Sequence, residues 1–326
     1  MTMQAAVFHG DKKITIAAQN IPPAEAGEVM LRVKRTALCG SDTKLWHKGA
    51  SFTPGHEIFG VVDQPGHAMH GKRCAVYIPV HCGHCASCQR GDTHMCETIS
   101  VLVGWNRPGG YAEYLPVPEL CLLPVPDDID DDLAPLLLDT IGTSAHAIRF
   151  VQPLVPPATV GPVLVMGAGP VGLGAVLALQ HMGYQDVWVS DLKAERLRLA
   201  ESFGAKAHPV GDNSRRFGLI VECSGAHAAR SLGMEIVGPR GVLVLVGEND
   251  NPWPVQETKA TRRKDFYMVR SFYFPKSDFA LNVDMLRQNK ARYRQLGDCC
   301  FSLDELPEMY ARFASGDLIK PLLAFA

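Results

Sequence analysis

The sequence predicts an α/β protein in two parts: a β-rich part followed by a doubly wound parallel sheet. Two sequence patterns along the chain lead to this prediction. Up to about residue 145, short runs of alternating apolar residues are separated by Gly and Pro, as in irregular antiparallel strands. From about residue 160, apolar strands, glycine turns and helical stretches alternate, which is typical of a parallel sheet with helices on its faces.

The predicted strands and helices follow from these two sequence patterns. Strands of the first part are expected at VMLRVKRTAL (29–38), HEIFGVV (56–62), RCAVYIPV (73–80) and YAEYLPVP (111–118). Buried parallel strands of the second part are expected at VLVM (163–166), VWVS (187–190), LIVEC (219–223) and VLVLV (242–246). A helix should end near Gly204, and an amphipathic helix and a closing strand should follow residue 301.

Composition narrows the class of protein. A chain of 326 residues is long enough for about two domains with a large core. The net charge of −2 and the lack of a basic stripe argue against nucleic acid as a partner. The N-terminus has no signal-peptide pattern and no apolar run is long enough to span a bilayer, so we expect a cytoplasmic protein without a membrane partner. Ten cysteines then indicate metal ligands and reduced thiols.

Four of these cysteines are closely spaced, as Cys82-x2-Cys85-x2-Cys88-x7-Cys96. Thiolates at such spacing can converge on one tetrahedral Zn²⁺, and four ligands leave no open position for chemistry. The cluster therefore predicts a structural zinc that stabilises a lobe with little apolar core. The alternative is a set of unrelated core thiols or disulfides, which the tight clustering disfavours.

A dinucleotide site is predicted at Gly167-x-Gly169-x-x-Gly172, which directly follows one strand and opens a helix. Gly167 allows the tight turn, Gly169 lets the backbone approach a pyrophosphate, and Gly172 lets helix and strand pack closely. Pro170 and Val171 complete the turn, and the helix N-terminus supplies N–H groups for the phosphates. The alternative is a glycine-rich turn of the core.

Asp191 lies at the end of the next strand, nineteen residues after Gly172. A carboxylate there can accept hydrogen bonds from the ribose hydroxyls of NAD and would repel the 2′-phosphate of NADP. Lys193 and Arg196 lie close by and weaken this exclusion. The sequence favours NAD, with a solvated or helix-capping acid as the alternative for Asp191.

Five motifs occur in a characteristic order: CGSD (39–42), GHE (55–57), the four-cysteine lobe, GGYAEY (109–114) and GAGPVG (167–172). In this order they resemble the zinc-dependent medium-chain dehydrogenase/reductase family, which contains alcohol and polyol dehydrogenases. The resemblance extends over nearly the whole chain. It implies a GroES-like catalytic domain built from residues 1–147 and 282–326, with an NAD-binding Rossmann domain at 148–281.

The resemblance also implies a catalytic zinc. Cys39 and His56 match its first two ligands, and Glu57 matches an acid that ligates the metal or exchanges with its water. Asp139 lies seven residues before His146, where related enzymes carry Glu or Cys as a further ligand. Because Asp departs from that pattern, the resemblance leaves open whether Asp139 binds the metal directly or through water.

Three further residues match the proton machinery of the family. Asp42 matches an acid that orients the ligating histidine, and Ser41 matches the hydroxyl that contacts the reacting alcohol oxygen. His47 matches a histidine that ends the proton relay in some members, after the cofactor ribose. A surface histidine is the alternative for His47, and a helix-capping acid is the alternative for Asp139.

The implied reaction is hydride transfer between a secondary alcohol and NAD, in which zinc acts as Lewis acid. The carboxylate-rich metal set resembles that of polyol, sugar and cyclitol dehydrogenases. Two alternatives are a metal-free quinone or enoyl reductase and a non-catalytic zinc- and nucleotide-binding relative or sensor. The candidate walls of the substrate pocket are Trp46, Phe52, Trp105 and Tyr111.

A homodimer or homotetramer is expected. The segment YMVRSFYF (267–274) has the pattern of an apolar strand at a sheet edge, and an exposed edge can pair with a second copy. The dimers of the family resemble this arrangement.

Overall fold

The computed structural model describes residues 1–255 and 257–325 of the chain. They form two compact units. The first contains Met1–Leu138, Pro275–Val283 and Tyr293–Ala326, of which Ala326 lies outside the described residues. The second contains Asp139–Phe274 and Asp284–Arg292. The domain bounds expected from the sequence, at 147/148 and 281/282, remain a prediction.

The first unit is rich in antiparallel strands. They are β1 (Thr2–Gly10), β2 (Lys13–Asn20), β3 (Glu28–Ala37), β4 (Glu57–Val62), β5 (Arg73–Val76), β6 (Pro79–Val80), β7 (Val101–Leu102), β8 (Tyr114–Pro118) and β9 (Leu122–Pro124), with β16 (Cys300–Phe301) and β17 (Leu322–Ala324) from the end of the chain. A sheet of order β16-β17-β3-β4-β5-β9 also holds β8, which pairs with β3.

The alternating pattern of β3 shows why it lies at the centre of this sheet. Val29, Leu31 and Val33 are at most 1% exposed, and the residues between them are half-buried. Such alternation buries one face of a strand against the core. The strand predicted at 73–80 is divided into β5 and β6, and that predicted at 111–118 begins only at Tyr114.

An aromatic cluster forms part of the core of this unit. The ring of Phe8 stacks on Tyr111 with centroids 5.8 Å apart, and meets Tyr310 edge-on at 5.6 Å. Tyr310 lies on the amphipathic helix predicted near the end of the chain, whose Phe313 also joins the cluster. The closing strand β17 pairs with β3, so the chain end is part of this unit's main sheet.

The second unit contains a parallel six-stranded sheet. Its strands are β10 (Val163–Met166), β11 (Val187–Ser190), β12 (Lys206–Ala207), β13 (Phe217–Glu222), β14 (Val237–Leu245) and β15 (Tyr267–Arg270). Their order is β12-β11-β10-β13-β14-β15. This is the doubly wound order of dinucleotide-binding domains, which turns around at the first strand, β10. The predicted α/β fold class is confirmed.

Helices complete the fold. They are α1 (Thr43–Lys48), α2 (Ala86–Gln89), α3 (Ser144–Val151), α4 (Pro170–His181), α5 (Ala194–Ser202), α6 (His227–Ile236), α7 (Phe279–Gln288), α8 (Lys290–Tyr293) and α9 (Leu306–Ala314). Helix α5 ends two residues before Gly204, whose φ of +87° suits a helix terminus. None of the helices in the described part of the chain combines the length and apolar character needed to cross a membrane.

The predicted edge strand is shorter than its sequence pattern. β15 lies at the edge of the parallel sheet but ends at Arg270 rather than at 274. Tyr273 has a φ of +46°, which an extended strand cannot accommodate, and Ser271 and Phe274 are buried. The apolar residues after Arg270 therefore belong to the core rather than to the edge.

Candidate active site

Pairing of β3 with β4 brings the first two predicted ligands together. Ala37 at the end of β3 is opposite Glu57 at the start of β4. Cys39 follows β3 and His56 precedes β4, so an antiparallel pair places both beside the same end of the sheet. The ligand atoms of Cys39, His56, Glu57 and Asp139 all lie within 4.8 Å of one another.

His56 is oriented by a buried carboxylate. Its Nδ1 lies 3.0 Å from Oδ1 of Asp42, and both side chains are at most 2% exposed. A carboxylate accepts hydrogen bonds only, so Nδ1 carries the proton, and in the neutral ring Nε2 then keeps its lone pair. This is the tautomer that a metal-ligating histidine requires.

Tyr111 extends this chain of hydrogen bonds. Its hydroxyl donates to Oδ2 of Asp42 at 2.7 Å, and the ring is fully buried. Burial, and then the Asp42 carboxylate, raise the pKa of Tyr111 well above its usual value, so the hydroxyl remains a donor. The expectation that Tyr111 lines a substrate pocket is therefore wrong, and Trp46 is likewise buried in the core.

Ser41 and His47 have different surroundings. The hydroxyl of Ser41 donates to Sγ of Cys39 at 3.2 Å, and Ser41 is half-buried. His47 lies on the exposed side of α1, where its ring meets that of Trp46 edge-on at 5.5 Å. Ser41 thus lies beside a predicted ligand, and the relay role of His47 stays a prediction.

Asp139 directly follows Leu138 and opens a π-helical turn, Asp139–Thr143. Such turns are rare and often occur at functional sites. The side chain is 9% exposed, and its Oδ1 accepts a hydrogen bond from the hydroxyl of Thr143 at 3.3 Å. The position that departs from the family pattern therefore carries a nearly buried carboxylate within reach of the other three ligand atoms.

Two residues near these ligands were not predicted from the sequence. Lys320, which is 1% exposed, donates from Nζ to Oε1 of Glu57 and to the carbonyl oxygen of Leu38 at 3.0 Å. Lys44 lies with Nζ 5.7 Å from the ring centroid of Trp105, and that ring is 5.5 Å from the ring of His56. Lys320 had one sequence signal, a single charge within the otherwise apolar run before the closing strand.

The second group of candidate metal ligands is the four-cysteine lobe. The sulfur atoms of Cys82, Cys85, Cys88 and Cys96 lie within 4.8 Å of one another, and two of the pairs are 4.0 Å apart. Sulfur atoms bonded tetrahedrally to one zinc ion at 2.3 Å are about 3.8 Å apart. The spacing therefore fits a zinc ion, and the cysteines of the described residues form no disulfide with one another.

Backbone amides prepare this lobe for a cation. The N–H groups of His84 and Cys85 donate to Sγ of Cys82 at 3.4 and 3.2 Å. These hydrogen bonds, that of His84 first, lower the pKa of Cys82 to about 5. Burial instead raises the pKa of Cys88 to about 12, so a cation beside it is needed for its thiolate form.

The glycine turn has the shape that its motif predicts. Gly167 has a φ of +94°, and a Cβ at Gly172 would lie 1.8 Å from the carbonyl oxygen of Gly167. Only glycine permits that approach of α4 to the turn. A Cβ at Gly169 would meet nothing within 4 Å, so the space above this backbone is open. Gly169 is the N-cap of α4 and Pro170 is its first residue, followed by Val171.

Asp191 is held at this turn. Its Oδ2 accepts a hydrogen bond from the backbone N–H of Ala168 at 2.6 Å, and its Oδ1 accepts one from the backbone N–H of Lys193 at 2.8 Å. The carboxylate therefore lies beside the glycine turn, as a ribose-binding acid should. These contacts also give it a structural role in the turn.

Known proteins match both units. The profile described as "Alcohol dehydrogenase GroES-like domain" matches residues 25–127, and that described as "Zinc-binding dehydrogenase" matches residues 170–288. An L-threonine 3-dehydrogenase of Legionella pneumophila is 32% identical over 274 residues, which cover 76% of this chain and 77% of the relative. The chain belongs to the zinc-dependent medium-chain dehydrogenase/reductase family.

Solved structures agree with this assignment. An alcohol dehydrogenase from Escherichia coli CFT073, in complex with NADH, has a TM-score of 0.88 at 26% identity and covers 99% of each chain. Galactitol-1-phosphate dehydrogenase from Escherichia coli has a TM-score of 0.87 at 26% identity, covering 99% of this chain and all of the other. The protein is therefore an oxidoreductase of the dehydrogenase type, and the resemblance stated from its motifs is confirmed.

Proposed function

We propose that the protein transfers a hydride between a secondary alcohol and NAD, with one catalytic and one structural zinc ion per chain. The preferred substrates are polyols, sugars or cyclitols. The observation that carries this proposal is the group of four ligand atoms from Cys39, His56, Glu57 and Asp139. Such a mixed set is typical of a catalytic zinc, whereas four thiolates are typical of a structural one.

The spacing of this group fits one metal ion. Ligand atoms bonded tetrahedrally to zinc at about 2.0–2.3 Å lie about 3.3–3.8 Å apart. The four atoms lie within 4.8 Å of one another, so small side-chain movements would bring them onto one ion. Cys39 and His56 would hold the ion, and Glu57 and Asp139 would complete its shell directly or through water.

The zinc ion would act as a Lewis acid that lowers the pKa of the substrate hydroxyl. The protein residues then set geometry and protonation. Asp42 holds His56 in the tautomer that presents Nε2, and Tyr111 holds Asp42 through its other oxygen. Ser41, within hydrogen-bond distance of Sγ of Cys39, is positioned to accept the substrate proton while it passes its own hydroxyl proton outward.

We assign the outer end of the proton path to His47. Its exposed position on α1 allows exchange with solvent, and histidine side chains commonly serve as proton shuttles. Because water can also reach an exposed position, loss of His47 should slow the reaction less than loss of Ser41.

NAD is the proposed nicotinamide cofactor. Gly167, Gly169 and Gly172 form a turn with open space above Gly169, where a pyrophosphate would bind, with the remaining contacts from Pro170 and Val171. Asp191 at the same turn favours two ribose hydroxyls over a 2′-phosphate. The related alcohol dehydrogenase in complex with NADH supports this choice.

Two relatives support the substrate class. Galactitol-1-phosphate dehydrogenase acts, by its name, on a polyol phosphate. L-threonine 3-dehydrogenase acts on the 3-position of threonine, which carries a secondary hydroxyl. Both are polar substrates with a secondary alcohol, and the carboxylate-rich ligand set of this chain fits that class better than simple primary alcohols.

A turnover screen tests the proposal. NADH formation is followed at pH 8 with NAD⁺ or NADP⁺ over polyols, sugars, cyclitols and simple alcohols. We expect turnover of at least one polar secondary alcohol with NAD⁺, loss of turnover in Cys39→Ser, and little change in Cys299→Ser, whose thiol lies outside both metal groups. Zinc and NAD binding without turnover of any alcohol would instead indicate a non-catalytic relative.

A further inference from the structure

A buried lysine joins the two chain segments that carry the first two metal ligands. Nζ of Lys320 donates to the carbonyl oxygen of Leu38 at 3.0 Å and to Oε1 of Glu57. Leu38 directly precedes Cys39, and Glu57 directly follows His56. Lys320 is 1% exposed and Glu57 is fully buried, so this ion pair lies away from solvent.

The backbone fixes the place of this lysine. The N–H of Lys320 donates to Oδ2 of Asp298 at 2.6 Å, as does that of Ile319. The N–H of Leu38 donates to the carbonyl oxygen of Pro321 at 3.1 Å, immediately before β17 pairs with β3. The ammonium group is therefore held at one place beside the metal ligands.

The charges of the metal-ligand group explain why a lysine is found beside it. Cys39 as a thiolate and the carboxylates of Glu57, Asp139 and the adjoining Asp42 carry four negative charges, of which a divalent ion neutralises two. Buried charges without a counter-charge are strongly unfavourable. Lys320 supplies the third positive charge through its contact with Glu57.

We propose that Lys320 is a positioning residue that holds the Glu57 carboxylate as an exchangeable partner of the metal rather than a permanent ligand. This inference rests on the proposed function, because it requires a metal ion at Cys39 and His56. With the ammonium on Oε1, Glu57 is shared between lysine and metal, and a coordination position stays accessible to substrate. Without the ammonium, Glu57 is left as an uncompensated anion and binds the metal more tightly.

The test measures metal affinity rather than activity alone. Metal-free protein is titrated with Zn²⁺ against a chromophoric chelator. The catalytic site is identified as the zinc-binding site that is lost in Cys39→Ser. In Lys320→Met we expect the zinc dissociation constant of that site to fall at least about tenfold, because the variant removes a buried positive charge that opposes the binding of a divalent cation. Lys320→Arg, which keeps the charge, should stay close to wild type.

Two controls separate positioning from simple structural support. Glu57→Gln combined with Lys320→Met removes both charges, so its zinc affinity should return to within about threefold of wild type, because the neutral amide has no charge left to compensate. If Lys320→Met alone does not fold, the double variant is measured in its place.

Lys264→Met removes another buried lysine, which donates to the carbonyl oxygen of Met234 at 3.2 Å and lies outside the metal groups. It should destabilise metal-free and zinc-loaded protein equally, whereas Lys320→Met should destabilise the metal-free form more.

Unchanged or weaker zinc binding in Lys320→Met would overturn the inference and leave the lysine a structural residue. If the double variant binds zinc as tightly as Lys320→Met, Glu57 is not the partner and the inference also falls. A wild-type protein that takes up no second zinc ion would contradict the proposed function itself, which is a distinct outcome.

Discussion

Replacement of Tyr111 by Phe tests the hydrogen-bond chain that orients His56. The variant keeps the ring that stacks on Phe8 at 5.8 Å and removes only the hydroxyl that donates to Asp42 at 2.7 Å. Asp42 would keep the hydrogen bond from His56 but lose the donor on its other oxygen. The perturbation is therefore confined to one polar contact in a fully buried environment.

The expected loss follows from the partner of the hydroxyl. A hydrogen bond to a charged group contributes about 1.5–3 kcal/mol, and one between neutral groups about 0.5–1.5 kcal/mol. Tyr111→Phe should lower the free energy of unfolding by an amount in the first range. Tyr77 is a matched control, because it is equally buried in the same unit and its hydroxyl pairs with the neutral hydroxyl of Thr93 at 2.8 Å. Tyr77→Phe should lower the free energy of unfolding by an amount in the second range.

The assay is urea unfolding of wild type and both variants, zinc-loaded, at several pH values. The folded-state pKa of Tyr111 is raised, so its contribution is fully present below the unfolded value of about 10 and is lost as pH rises above it. The difference between wild type and Tyr111→Phe should thus be equal at pH 7 and 9 and shrink above about pH 10. A loss no larger than that of Tyr77→Phe would refute the charged hydrogen bond as a support of the site.

Three further predictions concern the lobe, the cofactor and assembly. Cys88→Ser should lower the unfolding temperature and should reduce the zinc content by one ion per chain, because structural zinc binding contributes folding free energy. Thermal unfolding and elemental analysis check this prediction. Asp191→Ala should raise the KM for NAD⁺ and increase relative use of NADP⁺, and better wild-type turnover with NADP⁺ would contradict the ribose assignment. Light scattering should show a dimer or tetramer, because Tyr267 and Met268 on edge strand β15 are 46% and 42% exposed; a monomer at micromolar concentration would exclude pairing there.

The parts of the molecule that the sequence predicted well are those with local signals. The cysteines of the four-cysteine lobe lie within fifteen residues, and the glycine turn is determined by its own backbone, as the clash of a Cβ at Gly172 with Gly167 shows. Buried parallel strands such as β10 and β11 are continuous apolar runs, so their bounds match the predicted ones.

The parts that were missed depend on contacts distant in sequence. Lys320 meets Glu57 across 263 positions, and Tyr111 meets Asp42 across 69, so neither partner can be found from local pattern. The length of β15 was overestimated because a run of apolar residues does not reveal the positive φ of Tyr273. These contacts depend on the pairing of β17 with β3 and on the packing of Tyr111, in the GGYAEY segment, in the core.

Zinc content per chain, measured by elemental analysis on protein purified without chelators, tests the central claim most directly. Two ligand groups in the described part of the chain predict two ions in wild type and one in Cys39→Ser, which keeps the four-cysteine lobe. Because Cys299→Ser leaves both groups intact, it should retain two. One ion in wild type, or an unchanged count in Cys39→Ser, would contradict a catalytic metal at Cys39 and His56.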